Sequence, residues 1–294
     1  MTYIHFIVNP ISGNGKHHIT ASLLRDYFPR SAFKIEVDYT KHKQHATAIA
    51  KNVVTKNPDI LVACGGDGTI NEIASCLVGS AIKLGIVPVG SGNGLASHLN
   101  IPKNIEKSLE MIRKGTSSTI DVGKINNNYF FSNMGIGVDA MIIKKQEQSG
   151  KRGLKAYVKA ALQSSFNFKS IQTKITNADT IVNTRPFMLF VSNSNEMGYN
   201  MTLTPKASLS DGWLDLIVVP EISIMEKFQL GYALLRNKVG HFKKAEHSLI
   251  QNLQIEMPDK IFTDAQIDGE FYNLKTNILT ISIVKNGLNV IATH

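Results

Sequence analysis

Short apolar runs and stretches with helical spacing alternate along the first part of the chain. The apolar runs, each as long as a buried strand, are residues 3–8, 33–39, 60–64 and 83–87. The helical segments between and after them are residues 18–28, 44–56, 69–78 and 105–112. Strands and helices in this order predict a parallel, doubly wound α/β sheet.

The pattern changes near residue 122. From residue 129 onward, short strand-like runs separated by turn residues predict an antiparallel β-sandwich. These runs are residues 129–133, 172–176, 187–192, 214–219, 253–257, 263–267 and 278–284. Two helical patterns, starting near Leu154 and Ile224, interrupt them. We therefore expect an α/β domain over residues 1–122 and a β-rich domain over residues 123–285.

Three predicted strands of the first domain end in polar loops that contain glycine. The loops are Asn9-Pro10-Ile11-Ser12-Gly13, Gly65-Gly66-Asp67-Gly68-Thr69-Ile70-Asn71-Glu72 and Pro88-Val89-Gly90-Ser91-Gly92-Asn93-Gly94. In such sheets the ligand lies at the carboxyl ends of the strands, and glycine lets the backbone approach it. The helix that follows the second loop points its N–H groups at an anion, phosphate above all.

Asp67 is a carboxylate inside a turn that otherwise suits phosphate. The two groups repel each other unless a metal ion or a hydroxyl group lies between them. The second loop therefore predicts a Mg-nucleotide or phosphoryl-transfer site. The first loop is not a Walker loop, because Pro10 and His17 stand where glycine and a hydroxyl are needed. Taken alone, it fits a plain strand-to-helix turn equally well.

Charge and composition narrow the choice of partner. The chain of 294 residues has a net charge of +9, which favours nucleic acid, an anionic membrane surface or a phosphorylated substrate. The two cysteines, Cys64 and Cys76, fit as small core residues and give no disulfide framework. Residues 2–8 lack the charged start of a signal peptide, and no apolar run is long enough to span a bilayer. We expect a cytoplasmic protein.

The three loops, in this order and spacing, resemble the diacylglycerol kinase catalytic family. That family includes sphingosine kinases and bacterial lipid kinases, and the resemblance extends through the second half of the chain. It implies an N-terminal ATP-binding domain, to which a C-terminal tail of about residues 286–294 returns, and a β-rich lipid-substrate domain. The expected reaction is ATP-dependent phosphorylation of a lipid hydroxyl.

The third loop departs from the pattern of bacterial diacylglycerol kinases. Their loop reads Gly-Thr-x-Asn-Asp, whereas Gly94 stands here in place of the final aspartate. Ser91 keeps the hydroxyl and Asn93 the amide, a form more similar to sphingosine kinases. Diacylglycerol is the first expected acceptor, and a sphingoid long-chain base is the closest alternative.

The resemblance also implies which residues bind ATP. The residues expected to line its phosphates are Asn9, Pro10, Ser12, Gly13, Thr40, Gly65, Gly66, Asp67, Gly68, Thr69, Asn71, Glu72, Ser91 and Asn93. Asp67 is expected to act through Mg²⁺ and its waters, which removes its repulsion of phosphate. Backbone amides and hydroxyls donate to phosphate oxygens without adding positive charge.

Asp268-Gly269-Glu270 resembles the segment that supplies the proton acceptor in this family. Glu270 matches the base, and Asp268 would help to hold the metal network. A glutamate can accept the proton of an alcohol as the new O–P bond forms. Without the resemblance, the same three residues are simply a hairpin turn.

The stretch from Ser208 to Asp215 resembles the structural Mg²⁺ loop of bacterial lipid kinases. The matching ligands are the Asp211 carboxylate and the backbone carbonyls of Ser208 and Trp213. A site made of oxygen ligands and water suits Mg²⁺.

Two other functions are disfavoured by the sequence, the first by the loop Gly90 to Asn93 and the second by the retention of Asp67, Asp268 and Glu270, while several partners stay open. One alternative is an NAD kinase, and another is a non-catalytic regulator that binds lipid or nucleotide. Basic residues along the first C-terminal helical pattern (Lys151, Arg152, Lys155 and Lys159) fit either an ordinary solvated face or a surface for anionic lipid. We expect lipid and ATP as partners and no nucleic acid, with a homodimer and peripheral contact at the inner face of the membrane left open.

Overall fold

The computed structural model describes residues 1–150, 153–178, 180–198 and 201–292. The chain folds into two compact units. Unit 1 consists of Met1–Asp121 and Lys285–His294, and unit 2 consists of Val122–Val284.

Unit 1 is an α/β structure. Its strands are β1 (Thr2–Val8), β2 (Phe33–Tyr39), β3 (Ile60–Gly65), β4 (Lys83–Pro88) and the first part of β5 (Ser117–Ile125). Its helices are α1 (Ala21–Tyr27), α2 (His45–Val54), α3 (Asp67–Ala74), α4 (Gly94–His98) and α5 (Ile105–Lys114), with a 3-10 helix at Ser12–Gly15.

The sheet of unit 1 is parallel and covered on both faces. β1 lies between β2 and β3, and β3 pairs with β4. On one face, Phe6 and Val62 pack in a core with Leu24 of α1 and Leu109 of α5. α2 packs against α3, and these helices contact β1 and β3. The predicted doubly wound α/β fold is confirmed.

Two helices of unit 1 begin at other residues than the pattern predicts. α1 begins at Ala21, since the Thr20 hydroxyl accepts the Leu23 N–H at 3.2 Å and caps the helix. α3 begins at Asp67, directly after Gly66, and not near residue 69. The earlier start places the Asp67 carboxylate in the first turn of α3.

Unit 2 is mainly antiparallel. Its strands are β6 (Asn128–Phe130), β7 (Asn133–Gly137), β8 (Thr173–Asn177), β9 (Thr180–Thr184), β10 (Pro186–Ser192), β11 (Leu214–Pro220), β12 (Glu246–Ile250), β13 (Asn252–Glu256), β14 (Asp264–Ile267), β15 (Glu270–Asn273) and most of β16 (Ile278–Ile291). Its helices are α6 (Val138–Ser149), α7 (Leu154–Asn167) and α8 (Ile224–Leu235), with a 3-10 helix at Val239–His241.

Two layers of strands enclose the core of unit 2. One layer has the order β12-β11-β10-β7-β14-β15, and the other has the order β16-β13-β8-β9. Leu189 and Leu216 of the first layer share one apolar cluster with Ile255 and Leu279 of the second. The predicted antiparallel sandwich is confirmed. The last residues of β16 belong to unit 1, where Val290 pairs in parallel with Leu84 of β4.

Several features of unit 2 differ from the prediction made from the sequence pattern, and the strands β9, β12 and β15 were not predicted. The run at residues 129–133 is not one strand, because β6 ends at Phe130 and β7 starts at Asn133. α6 was not expected, because six polar residues follow its buried Ile142 and Ile143, so that only its first half carries an apolar face.

The second helical pattern of unit 2 is shorter as a helix than its apolar residues suggest, since α8 ends at Leu235. Of the basic residues near the start of α7, Lys151 and Arg152 lie outside the described residues, and Lys155 and Lys159 are exposed. None of the helices in the described ranges is long and apolar enough to cross a membrane.

Candidate active site

The three glycine-containing loops of unit 1 come together at the carboxyl ends of β1, β3 and β4. The Asn9 N–H donates to the Cys64 carbonyl at 2.9 Å, and the Val89 N–H donates to the Gly65 carbonyl at 3.0 Å. These bonds tie the first and third loops to the end of β3. All three loops therefore lie at the edge of the sheet where parallel sheets bind their ligands.

Glycine is required where the second and third loops touch. A Cβ atom on Gly90 would overlap the Gly66 Cα, and one on Gly92 would lie 2.7 Å from Asp67 Oδ2. At Gly90 the two loops therefore pack backbone against backbone, and at Gly92 a side chain would displace the Asp67 carboxylate. The spacing of the glycines thus reflects contact between the loops.

Asp67 holds the third loop in place. Its Oδ2 accepts the N–H of Asn93 and its Oδ1 accepts the N–H of Gly94, each at 2.7 Å. Gly94 is the first residue of α4, and Asn93 has a positive φ of 59°. The side chain of Asn93 turns back to the loop and bonds the N–H and carbonyl of Gly90, at 3.1 and 2.8 Å. Asp67 of α3 therefore caps the start of α4.

Asn9 joins the first loop to the second. Its side-chain amide donates to the Thr69 hydroxyl at 3.0 Å, and its backbone carbonyl oxygen lies 2.9 Å from Nε2 of His17. Since a carbonyl only accepts, His17 carries its proton on Nε2 and fixes the backbone of Asn9. The sequence alone did not predict this role of His17. In the sequence, His17 is notable only because it stands at the end of the first loop, where a Walker loop has a hydroxyl.

Glu72 binds backbone rather than the phosphate loops. Its two carboxylate oxygens accept the N–H groups of Gln44 and Thr47, at 3.0 and 3.1 Å. Gln44 is the N-cap residue of α2 and has no capping side chain of its own. Glu72 of α3 is therefore the cap of α2, where a negative charge is favoured.

The remaining predicted residues of unit 1 offer hydroxyls and backbone at the same edge. Ser12, Thr40 and Thr69 are almost completely buried, whereas Ser91 and Pro10 are exposed. The Thr40 N–H donates to the Val8 carbonyl at 2.9 Å and so places Thr40 at the end of β1. Hydroxyls and the first turn of α3 make a donor set that fits the phosphates of a nucleotide.

The same residues fit Mg²⁺ only together with a nucleotide. No group of three or more His, Cys, Asp or Glu side chains that could hold a metal occurs among the described residues. Mg²⁺ binds readily through one carboxylate, water and substrate phosphates. A carboxylate oxygen can accept a backbone N–H and bind a cation at the same time, since it has two lone pairs. Asp67 is thus the carboxylate of these loops that fits a shared cation.

Asp268 and Gly269 form the tight turn between β14 and β15 in unit 2. Both have positive φ, 46° and 77°, as a two-residue hairpin of type I′ requires. The Asp268 carboxylate accepts three backbone N–H groups, from Phe131 at 2.9 Å, Ser132 at 2.8 Å and Asn133 at 3.1 Å. Asp268 therefore fixes the turn to the segment that enters β7.

Glu270 follows this turn as the first residue of β15, opposite Ile267. α6 contacts the same hairpin. Its Glu147 accepts the Phe271 N–H at 3.2 Å, and its Lys144 pairs with Asp264 at 2.8 Å. The backbone at Glu270 is thus held by the turn on one side and by α6 on the other.

Asp139 is a buried carboxyl near this hairpin that the sequence alone did not reveal. It lies in the first turn of α6, and burial raises its pKa to about 6, although the amide of Gln266 opposes the shift. No hydrogen-bond donor for its Oδ2 is found within the described part of the chain. Gln266 also donates to Asn133 at 2.8 Å and accepts the Gly269 N–H at 2.9 Å. Gly135 leaves room for this carboxyl, because a Cβ there would meet Asp139 Oδ2.

The predicted metal loop of unit 2 is a set of local turns. Asp211 Oδ1 accepts the Trp213 N–H at 3.0 Å, and the Ser208 hydroxyl accepts the Ser210 N–H at 3.3 Å. Burial raises the pKa of Asp215. The hydrogen bond with His247 opposes this shift, and the charge of the exposed Asp211 adds to it. One carboxylate and the nearby carbonyls form an oxygen-rich loop, but the loop has no second carboxylate among the predicted ligands.

The predicted site residues fall into separate groups. Those expected to bind ATP lie in unit 1, around the three loops, while Asp268 and Glu270 lie in unit 2 with the predicted metal loop. Asp67, Glu72 and Asp268 share one feature, because each carboxylate accepts backbone N–H groups from a segment distant in sequence. These acids hold loops in position.

Two family models match the chain in succession. The diacylglycerol kinase catalytic domain matches residues 3–125. The YegS C-terminal NAD kinase beta sandwich-like domain matches residues 132–292.

Relatives of known sequence agree with these matches. The diacylglycerol kinase of Staphylococcus aureus (strain JH9) is 27% identical over 274 residues, which cover 90% of this chain and 85% of that protein. The protein of strain Newman gives the same figures.

Solved structures from Bacillus anthracis str. Sterne share the fold. One superposes with a TM-score of 0.79 at 23% identity, over 99% of this chain and 97% of the other. A second, described as a diacylglycerol kinase, gives 0.70 at 20% identity over the same shares. The loops, the two folds and both family models lead to one conclusion: the chain belongs to the diacylglycerol kinase catalytic family and is an ATP-dependent lipid kinase.

Proposed function

We propose that this kinase transfers the γ-phosphate of ATP to the hydroxyl of diacylglycerol at a membrane surface. The observation that carries the proposal is the set of three interlocked loops, joined through Asp67, Asn93 and Asn9. Phosphoryl transfer needs little covalent chemistry from the protein and depends on positioning and charge neutralisation. Loops that are fixed to one another provide such positioning.

The ATP phosphates are proposed to bind at the three loops of unit 1. Hydroxyl groups and the backbone at the start of α3 are the proposed donors, and the remaining residues give the loops their shape. The residues of this proposed site, besides Asn9 and Asp67, are Pro10, Ser12, Gly13, Thr40, Gly65, Gly66, Gly68, Thr69, Asn71, Ser91 and Asn93. Glu72 acts indirectly by capping α2. Unit 1 is accordingly the proposed ATP-binding domain.

Mg²⁺ is proposed to be shared between Asp67 and the phosphates, and it would neutralise the charge that develops during transfer. Asp67 has two roles in this proposal, since the carboxylate that holds the third loop through Asn93 and Gly94 would also hold the cation. A second, structural Mg²⁺ is proposed at Asp211 with the carbonyls of Ser208 and Trp213. The exposed carboxylate and the turn around it support that site.

Glu270 is proposed to accept the proton of the acceptor hydroxyl. The rigid hairpin supports this role, because a base must hold its position while the proton moves. Asp268 is proposed as a positioning residue, since it binds the N–H groups of Phe131, Ser132 and Asn133. Unit 2 is accordingly the proposed lipid-substrate domain.

A sphingoid long-chain base is the second candidate acceptor. The feature that favours it is Gly94, which stands where bacterial diacylglycerol kinases have aspartate. The N–H of Gly94 is bound by Asp67, so that this position contributes backbone to the loop and no carboxylate. An assay that offers both lipids as acceptors decides between them.

A transfer assay with labelled γ-phosphate tests the proposal. The acceptors are diacylglycerol, sphinganine, monoacylglycerol and NAD, each offered in detergent micelles or in solution. We expect labelled phosphatidate as the main product. Label on sphinganine alone would favour the second candidate, and label on NAD alone would contradict a lipid acceptor.

A further inference from the structure

The outer face of α8 is apolar. Five apolar side chains recur along it at the spacing of one helix face, and their exposed fractions range from 54% at Phe228 to 71% at Met225. The five are Ile224, Met225, Phe228, Tyr232 and Leu235. The inner face carries Leu230, which is buried in the core of unit 2. A surface helix normally has charged residues outside and apolar residues inside.

α7 extends this apolar face. Leu162 and Phe166 are each 51% exposed, and the rings of Phe166 and Phe228 are 5.7 Å apart between centroids. Lys227 of α8 also donates to the Ser165 carbonyl at 2.8 Å, which fixes the two helices to each other. The exposed apolar residues of the two helices therefore form one surface, which we name the α7–α8 face.

Basic side chains lie on both helices of the α7–α8 face and in the segment that follows α8. Lys155 and Lys159 are exposed on α7, about two turns and one turn before Leu162. Alongside α8, a groove of about 670 Å³ includes Arg236, Lys238 and Lys243 in its lining. The guanidinium of Arg236 lies 5.6 Å from the ring centre of Tyr232, so that the basic groove adjoins the apolar residues.

The acid in this groove leaves its positive charge largely intact. Glu226 is the acidic residue of the lining, and it pairs with Lys244 at 2.7 Å. Lys244 keeps the pKa of Glu226 at about 2, so that the pair is neutral as a whole. Arg236, Lys238 and Lys243 remain as exposed positive charges beside an apolar surface.

We propose that the α7–α8 face is where this kinase rests on a membrane that contains anionic phospholipid, with the basic groove taking lipid phosphate. This inference rests on the proposed function, since an acceptor such as diacylglycerol stays in the bilayer. Apolar residues enter the boundary between headgroups and acyl chains, and basic residues beside them attract anionic headgroups. The charges of the groove are complementary to an anionic surface.

A second copy of the chain fits the same face less well. In a twofold dimer the identical surfaces meet, and the three positive charges of the groove would come close to their own copies. Like charges across an interface are unfavourable. An anionic lipid surface covers the apolar residues without that repulsion.

Binding to vesicles tests this proposal without measuring catalysis. The full chain is sedimented with vesicles of phosphatidylcholine alone and with vesicles that also contain phosphatidylglycerol. We expect binding to the anionic vesicles that decreases as salt is raised. In the variants Met225→Ser/Phe228→Ser and Lys238→Glu/Lys243→Glu we expect the partition coefficient to fall roughly tenfold or more.

Matched controls separate the α7–α8 face from general effects. Ile261→Ser removes an apolar residue that is 79% exposed and lies outside this face, and Lys103→Glu/Lys107→Glu changes the net charge equally in unit 1. Both controls should bind vesicles nearly as the unchanged protein does. Absence of binding by the unchanged protein, or equal loss in the controls, would overturn the proposal.

Two further readouts separate membrane docking from catalysis and from self-association. Transfer to diacylglycerol in detergent micelles should stay near its original rate in the four variants, because micelles deliver the lipid without an anionic bilayer. Vesicle binding by a protein that is inactive in micelles would support the docking face and contradict the proposed function. A dimer in light scattering that Met225→Ser/Phe228→Ser converts to monomer would assign the face to self-association and overturn membrane docking.

Discussion

Asp67 accepts the backbone N–H of Asn93 at 2.7 Å, although 26 residues separate them in sequence. Its other oxygen accepts the N–H of Gly94 at the same distance. One carboxylate therefore joins the turn after β3 to the turn after β4. An acid in a proposed phosphate site requires a physical reason, and here the two N–H donors offset much of its charge.

Asp67→Asn should disrupt this link. An amide presents one N–H₂ group toward a backbone donor, so that one of the two bonds becomes a donor facing a donor. We expect kcat/KM for ATP to fall roughly a hundredfold and the free energy of unfolding to fall by about 1–3 kcal/mol. Steady-state kinetics at several Mg²⁺ concentrations, with urea unfolding, measure both effects. An enzyme with unchanged kinetics would contradict the role of Asp67.

Glu72→Gln should mainly affect stability. The variant keeps one acceptor oxygen, but its N–H₂ group faces the other backbone N–H, and the negative charge at the start of α2 is lost. We expect a loss of about 1 kcal/mol in the free energy of unfolding, with little change in kcat. Glu106→Gln is a matched control, because Glu106 lies in the first turn of α5, where Asn104 already caps the helix. Equal effects of the two changes would argue against capping of α2 by Glu72.

Asp139 should make the stability of the enzyme depend on pH. Its pKa in the folded protein is about 6, against 3.8 as the ordinary value. Because the pKa is higher in the folded protein, protonated Asp139 contributes its full stability at pH values below the ordinary pKa. That contribution is lost as pH rises through the pKa of the folded protein. Ionisation of this buried acid should therefore lower stability between about pH 4 and pH 6, by an upper limit of roughly 3 kcal/mol.

Asp139→Asn removes that titration. Urea unfolding from about pH 4 to pH 7 should show the unchanged protein losing stability relative to the variant as pH rises. Asp26→Asn serves as a control, because it removes one carboxylate from the exposed surface of α1. A constant difference between Asp139→Asn and the original chain across this range would show that Asp139 does not titrate there.

The fold was largely predictable from local patterns, whereas most contacts of the site were not. Apolar runs predict β3 and β4 closely, because a strand covered on both faces is apolar throughout. Asp67, Glu72 and Asp268 were identified as residues of interest from motifs. Their backbone partners were not, because those bonds join segments that only the fold brings together.

Residues outside recognisable motifs were missed for a related reason. Asp139 stands in a helix whose second half is polar, so that neither periodicity nor a motif marks it. His17 became significant only through its bond to the Asn9 carbonyl. Sequence patterns indicate which residues have the right chemistry, while the contacts decide whether a residue binds a ligand or holds a loop.

The proposed structural cation at Asp211 predicts an effect of chelation. If Mg²⁺ binds Asp211 with the carbonyls of Ser208 and Trp213, its removal should lower Tm, since an ion that binds only the folded state stabilises it. Thermal unfolding with and without a chelator, in the absence of ATP, measures this. Asp211→Asn should no longer respond to the chelator. Identical melting curves in the original chain would count against this site.

Glu270→Gln should lower kcat while leaving ATP binding nearly unchanged. The amide keeps the size of the side chain but cannot accept the proton of the acceptor hydroxyl, and loss of a general base typically costs about 10²–10⁴-fold. Pre-steady-state transfer and equilibrium binding of a nucleotide analogue separate the two steps. Asp268→Asn is the comparison, because it should also reduce stability through the N–H groups of Phe131, Ser132 and Asn133.

The most direct measurement of the central claim is transfer of the labelled γ-phosphate of ATP to diacylglycerol in micelles, with Glu270→Gln run alongside. We expect Mg²⁺-dependent formation of labelled phosphatidate by the original chain and strongly reduced formation by the variant. A folded, nucleotide-binding protein that labels no diacylglycerol, or a variant that matches the original rate, would contradict it.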